Sequence, residues 1–142
     1  MILVINDFTS LNMVDFKYRI DIEGYPAQRP RLGRYGNTHN TPKYNNFKRS
    51  LALLIKALAI PPKEYEYVCI RFYYAYSKST PKKNRKDLEP MRGKYDIDNL
   101  IKTFLDALQD AGVITNDSCV CGVYAEKIYT IEERGWIEFD FE

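Results

Sequence analysis

Sulfur and imidazole are scarce in this 142-residue chain, which has three cysteines and one histidine. An odd cysteine count does not build a disulfide framework, and such sparing use agrees with a reducing compartment. Cys69, Cys119, Cys121 and His39 are enough in number for a zinc site, but no C-x-x-C occurs. Cys119 and Cys121 lie two apart in a strand-like run, where alternate residues share one face and usually pack. No apolar run reaches the length of about 18 residues that a membrane span needs. The apolar start, Met1-Ile-Leu-Val-Ile5, stops at Asn6-Asp7 without a basic leader or a cleavage-site pattern. A secretory signal is therefore not expected, and the chain reads as soluble and cytoplasmic. Internal repeats and clear boundaries are missing too, so a single domain over residues 1–142 is expected. With 45% hydrophobic and 28% charged residues, wholesale disorder is excluded.

Charge is present in near balance, Lys+Arg 21 against Asp+Glu 19, but it is unevenly placed. Between Gly24 and Ser50 stand Arg29, Arg31, Arg34, Lys43, Lys48 and Arg49, with no acid. Between Lys78 and Lys94 stand Lys78, Lys82, Lys83, Arg85, Lys86, Arg92 and Lys94 against Asp87 and Glu89. The tail from Glu126 carries six acids and two bases. Such a segment can be a solvated loop. Two of them around an acidic cluster suit a polyanion, most simply a nucleic-acid backbone.

Phe16 to Ile22 alternates like a strand. Gly24 to Thr41 holds Pro26, Pro30, Gly33 and Gly36 and reads as a loop. Thr41-Pro42 predicts an N-cap and first turn for a helix through Phe47, Leu51, Leu54, Ile55 and Leu58, ended by Pro61-Pro62. Tyr65 to Tyr76, aromatic and β-branched, predicts a central strand. Ser77 to Tyr95 is a polar loop of unusual length, and such loops are often functional. A second helix is expected from Ile97 to Asp110, with Ile97, Ile101, Phe104, Leu108 and Ala111 as its core stripe, Leu100 and Leu105 widening it, and Gly112 as its C-cap. Val120–Tyr129 and Gly135–Phe141 read as two further strands. The order β-α-β-α-β-β predicts a two-layer α+β domain, a mixed sheet with two main helices.

Asp96-Ile97-Asp98-Asn99 opens the second helix, and Asp117 follows it. A helix over 97–110 is about 20 Å long, so Asp117 meets the other two only if the chain doubles back after Gly112. Three gathered carboxylates would hold Mg²⁺, whose hard oxygen coordination activates water and neutralises charge in phosphodiester hydrolysis. Each residue also has a plainer use: Asp96 or Asp98 as an N-cap, Asp117 in a turn. Lys102 lies on one helix face with Asp98 and Asp106. It is either part of a ladder of weak surface ion pairs or a charge stabiliser at a scissile phosphate.

Asp96-Ile-Asp-Asn-Leu-Ile-Lys102, then Leu105-Asp-Ala-Leu108, then Asn116-Asp117, resembles the signature of the RusA family of Holliday-junction resolvases, small endonucleases of bacteria and their phages. Gln28-Arg-Pro-Arg31, the Thr41-Pro42 helix start and the basic loop before the D-x-D are similar as well, and the likeness spans about Tyr18 to Tyr129. The resemblance implies a homodimer that makes symmetric paired nicks in four-way junction DNA. It implies dependence on Mg²⁺, with Mn²⁺ able to substitute, and no organic cofactor. It makes Asp96, Asp98 and Asp117 the metal-binding carboxylates and Lys102 the essential lysine. Where Ala27-Gln28 stand, that family often has a lysine. Arg29, Arg31, Lys82, Lys83, Lys86, Arg92 and Lys94 are the candidate DNA-backbone contacts.

Two alternatives stand beside it: a non-catalytic nucleic-acid-binding module, which leaves the acids unexplained, and a metal-dependent ribonuclease, since phosphate contacts do not report the sugar. Met1–Ile5 and Tyr65–Tyr76 are candidates for a dimer interface or for ordinary core.

Overall fold

The structure is a computed structural model. It describes residues 15–27, 31–32, 38–39 and 41–142, and of 31–32 and 38–39 the backbone alone. In chain order the elements are β1 (Tyr18–Ile20), β2 (Arg31–Leu32), β3 (Thr38–His39), α1 (Pro42–Ala57), β4 (Tyr67–Ala75), α2 (Ile97–Asp110), β5 (Gly122–Thr130) and β6 (Ile137–Phe141). The fold is α+β, in the expected element order. One hairpin is added: β2 pairs antiparallel with β3, Arg31 opposite His39, inside the segment read as a loop. Strands of two residues are too short to show an alternation. Among the described residues no helix is long and apolar enough to cross a membrane. The chain divides into a sheet unit (up to Gly24, 65–92 and 118–142) and a helical unit (25–64 and 93–117).

In the sheet unit the strand order is β1-β6-β4-β5. β4 runs parallel to β5 and antiparallel to β6, so the sheet is mixed. Having a neighbour on each side, β4 is buried continuously from Val68 to Tyr74. Val68, Ile70, Phe72 and Tyr74 share one face with Ile137, Phe139 and Phe141 of β6. Within Tyr65–Tyr76 the stretch Val68 to Tyr74 is thus core, and the backbone of its strand is already paired on both edges; Tyr67 is 48% exposed. Met1–Ile5 lies outside the described residues.

The other face of the sheet is polar and paired. Arg71 faces Glu126 and Glu138 in the two registers. Its Nε donates to Glu126 at 2.7 Å and its Nη1 to the Tyr73 hydroxyl at 2.9 Å. Tyr73 donates on to Glu138, which also accepts the Trp136 indole N–H. Burial raises the pKa of Glu126 more than the Arg71 charge lowers it. Burial also pushes the Cys69 thiol up to about 11, which keeps it protonated and inert.

Gly135 is needed here for space. Its N–H donates to Glu23, and a Cβ would meet the Tyr73 carbonyl oxygen at 2.0 Å. Tyr73 and Trp136 exchange two backbone hydrogen bonds at the same spot. Gly135→Ala is expected to cost about 1–3 kcal/mol by overpacking. Urea unfolding measures it, and a variant as stable as the parent would contradict this close approach.

In the helical unit Thr41 caps α1, its Oγ1 accepting from the Tyr44 N–H at 3.3 Å. The buried stripe is Tyr44, Leu51 and Ile55. Leu54, expected in the core, is 41% exposed, because Tyr44 rather than Phe47 sets the inward face. The α2 stripe is turned likewise: Leu100, Thr103, Phe104, Ala107 and Leu108 are buried. Ile97, Ile101, Leu105 and Ala111 are only half-buried. Thr103 is tolerated inside because its hydroxyl donates to the Asn99 carbonyl one turn back.

Cys119 and Cys121 do not alternate in a strand. Cys119 ends a 3₁₀ turn (Asp117–Cys119), and Cys121 is exposed just before β5. The strand starts only at Gly122, after the Cys121 and Gly122 N–H groups both meet the Glu66 carbonyl.

Candidate active site

α2 begins after a sharp bend. Gly93 and Tyr95 both have left-handed backbone, φ +79° and +61°. A tyrosine held there stores roughly 1–3 kcal/mol of strain, a cost more often tolerated at functional sites than elsewhere. Asp96 is the N-cap residue, its carbonyl accepting from the Asn99 and Leu100 N–H groups at 3.1 and 3.3 Å. Its carboxylate makes no capping bond. The capping use therefore belongs to the Asp96 backbone and leaves the side chain available. Asp98 stands in the first turn, exposed, where the helix dipole favours an anion. Among the described residues no hydrogen bond or ion pair engages the carboxylate of Asp96, Asp98 or Asp117.

The Asn99 carbonyl also accepts the N–H of Ala27 at 3.0 Å. This pins the residue just before Gln28-Arg-Pro-Arg31 to the first turn of α2. Arg29 lies outside the described residues, and of Arg31 the β2 backbone is described. Nothing in the sequence pattern signals the Ala27 bond, which joins residues far apart in the chain.

Lys102 is well exposed, and its Nζ lies 3.7 Å from Asp106. No ion pair with Asp98 forms, so the ladder is half made. At the far end α2 closes in a Schellman motif: the Gly112 N–H meets the Gln109 carbonyl and the Val113 N–H meets the Leu108 carbonyl, both at 3.0 Å. Gly112, at φ +77°, is the C-terminal glycine the sequence marked. Val113 and Ile114 are buried, and the chain then surfaces.

The Asp117 N–H donates to Gln109 Oε1 at 3.3 Å. Gln109 is eleven positions beyond Asp98 in α2, roughly 16 Å of helical rise. The doubling back after Gly112 is therefore short. Asp117 is anchored at one end of α2 while Asp96 and Asp98 stand at the other. Among the described residues no three His, Cys, Asp or Glu side chains form a group able to hold a metal ion. Gln109, which no sequence pattern marks, holds the Asp117 N–H.

The loop from Lys78 towards Arg92 is ordered by its own contacts. Arg85 is a pin, not a free base: its guanidinium donates to the carbonyls of Thr80 (2.9 Å) and Ser77 (3.3 Å). The Tyr76 hydroxyl bonds both the N–H and the carbonyl of Lys86. Leu88 to Met91 lies along β5, with Leu88 and Tyr129 N–H groups bonded across and the Met91 N–H on the Lys127 carbonyl. Met91 is buried. Lys82, Lys83, Lys86 and Arg92 stay exposed. Lys94, in the helical unit, is exposed with its Nζ 5.0 Å from the Tyr95 ring.

No curated protein matches the chain. The acidic head of α2, with Lys102 one turn along and Asp117 beyond the Schellman turn, lies inside residues 21–139, which match the family model for endodeoxyribonuclease RusA, so the chain belongs to the RusA family of endodeoxyribonucleases, enzymes that resolve Holliday junctions.

Proposed function

We propose that this chain is a Mg²⁺-dependent, junction-selective endonuclease, acting as a homodimer that nicks two opposed strands of a four-way junction. The observation that carries it is the exposed Asp96-x-Asp98 at the head of α2, whose carboxylates no hydrogen bond or ion pair engages among the described residues. Bare carboxylates repel phosphate, so on a DNA-acting surface they belong to the chemistry rather than to the grip. RusA-type nucleases are generally divalent-metal dependent.

Asp96 and Asp98 fit a hard cation as oxygen donors exposed enough to leave room for the waters that Mg²⁺ retains; Mn²⁺ substitutes. The third carboxylate does not join them within one chain. A twofold pairing can set the partner subunit's Asp117 beside Asp96 and Asp98, and it makes two equal sites. A four-way junction has two strands to cut and approximate twofold symmetry of its own. Bound there, the metal supplies charge neutralisation and activation of water. The aspartates hold it and orient that water. Lys102, exposed and one turn along α2 from Asp98, offers an ammonium to the reacting phosphate. Arg29, Arg31, Lys82, Lys83, Lys86, Arg92 and Lys94 hold the backbone.

Matched four-way, three-way, flap and linear substrates, with Mg²⁺ or EDTA, test this. Cutting of the four-way junction in Mg²⁺ alone is expected. Cutting in EDTA, or equal cutting of linear duplex, overturns the proposal; binding without cutting leaves a DNA-binding module. Neutralising Lys82, Lys83 and Lys86 together should weaken junction binding evenly across sequences. The slope of log K against log salt should shrink by up to about 0.9 per lost contact. An unchanged slope would place this loop away from DNA.

A further inference from the structure

A cavity of about 520 Å³ lies in the sheet unit, between the start of the basic loop and the turn from β5 to β6. Its lining is mixed: Tyr76, Lys78 and Lys82 on one side, Glu132, Glu133 and Arg134 on the other. We propose that it is a subsite for one unstacked nucleotide of the DNA, with the base on Tyr76, the phosphate at Lys78 and Arg134, and an exocyclic amine of the base read by Glu132 or Glu133. The proposal rests on the chain acting on DNA, and adds to it a place where base identity is sensed.

Four observations carry it. The volume falls within the range of small-molecule sites. The Tyr76 ring is fixed before any ligand arrives. It stacks on Tyr129 with centroids 4.2 Å apart and planes 10° apart, and its hydroxyl is tied to the Lys86 backbone. A fixed aromatic face accepts any base, because every base has a π-face.

The walls are also held. Arg85 ties the loop to Thr80 and Ser77. The Ile131 N–H bonds Asp87, which joins the turn to the loop.

The fourth observation is charge that faces a common space without pairing. Among the described residues Lys78, Lys82 and Arg134 form no ion pair, although Glu132 and Glu133 line the same cavity. A surface built only to grip phosphates gains nothing from two carboxylates, which repel the ligand. Carboxylates become useful when the ligand also brings hydrogen-bond donors, and the exocyclic amines of adenine and cytosine are such donors. Cations, acids and an aromatic plane together match a nucleotide better than a free anion.

The test uses fluorescein-labelled hexamers of deoxyadenylate and of 2′-deoxynebularine, which lacks only the amine. Their binding to the full chain is followed by anisotropy without metal. Deoxyadenylate should bind about tenfold more tightly. In Glu132→Ala/Glu133→Ala the nebularine hexamer should bind more tightly than to the parent, since negative charge is lost, and the preference for deoxyadenylate should vanish. Both positions are exposed, so folding is not at issue. In Lys78→Ala/Arg134→Ala both should weaken while the preference survives. Equal binding of the two hexamers by the parent, or a preference that outlives loss of both glutamates, overturns the subsite. Junction nicking by the same preparation is read separately. A protein that nicks junctions yet binds the hexamers alike loses the subsite alone. One that prefers the amine yet nicks nothing keeps the subsite and loses the nuclease reading.

Discussion

Pairs made of one Asp96→Asn chain and one Asp117→Asn chain should nick a junction that neither variant nicks as a homodimer. If each site takes Asp96 and Asp98 from one chain and Asp117 from the other, the mixed pair collects both lesions in one site and leaves the second intact. About half the parental nicking rate should return. If each chain carries a whole site, every site in the mixed pair has one lesion and nothing is cut. The first outcome follows from the anchoring of Asp117 to Gln109, at the opposite end of α2 from Asp98. Coexpression under separate tags isolates the mixed pair. A supercoiled plasmid with an extruded cruciform then reports the number of live sites. One live site gives a nicked circle, because the first cut releases supercoiling and the cruciform is reabsorbed; two give linear DNA. A pair of parental and Asp96→Asn chains should also stop at the nicked circle. An inactive mixed pair of the two single variants would show that a single chain gathers all three carboxylates.

Lys102→Ala should lower single-turnover cleavage about a hundredfold or more while leaving the fold almost untouched. The stability side rests on its ion pair with Asp106. The Lys102–Asp106 pair is 3.7 Å long, and the lysine side chain is 64% exposed. An exposed i, i+4 pair contributes about 0.3–0.5 kcal/mol, and a lysine N-terminal to its acid is the weaker orientation on a helix. Removing it should therefore cost under about 1 kcal/mol. The activity side rests on position: an ammonium one turn beyond Asp98, held only weakly, can turn to a phosphate brought to the head of α2. Thermal melting and cleavage of the same variant separate the two roles. Full activity in Lys102→Ala would reduce Lys102 to a member of a surface ion pair.

Local features of both the fold and the site were legible in the residues, because near neighbours decide them. The Thr41 cap, the glycine after α2 and the bounds Ile97–Asp110 depend on hydrogen bonds within four or five positions. The placing of Asp96 and Asp98 at a helix head depends on the same short-range chemistry. Which residues share the inward face was less legible, since a stripe on an amphipathic helix can rotate by one position without losing its period. That is how Leu54 came to be exposed while Tyr44 was buried.

Sequence alone therefore determined the α+β element order, the acidic motif and the basic segments, all of which rest on patterns within a few residues. Tertiary structure decided what those segments meet. The Leu88–Met91 stretch covers β5 instead of waving free. Arg85 secures its loop rather than offering its charge. Asp117 stays with Gln109. Tyr76 and Lys78 share a cavity with Glu132 and Arg134, more than fifty positions away. The reason is physical: periodicity and capping are local free energies that the chain spells out residue by residue. Contacts between distant segments depend instead on sheet register and on which loop covers which edge, and no short pattern carries that information.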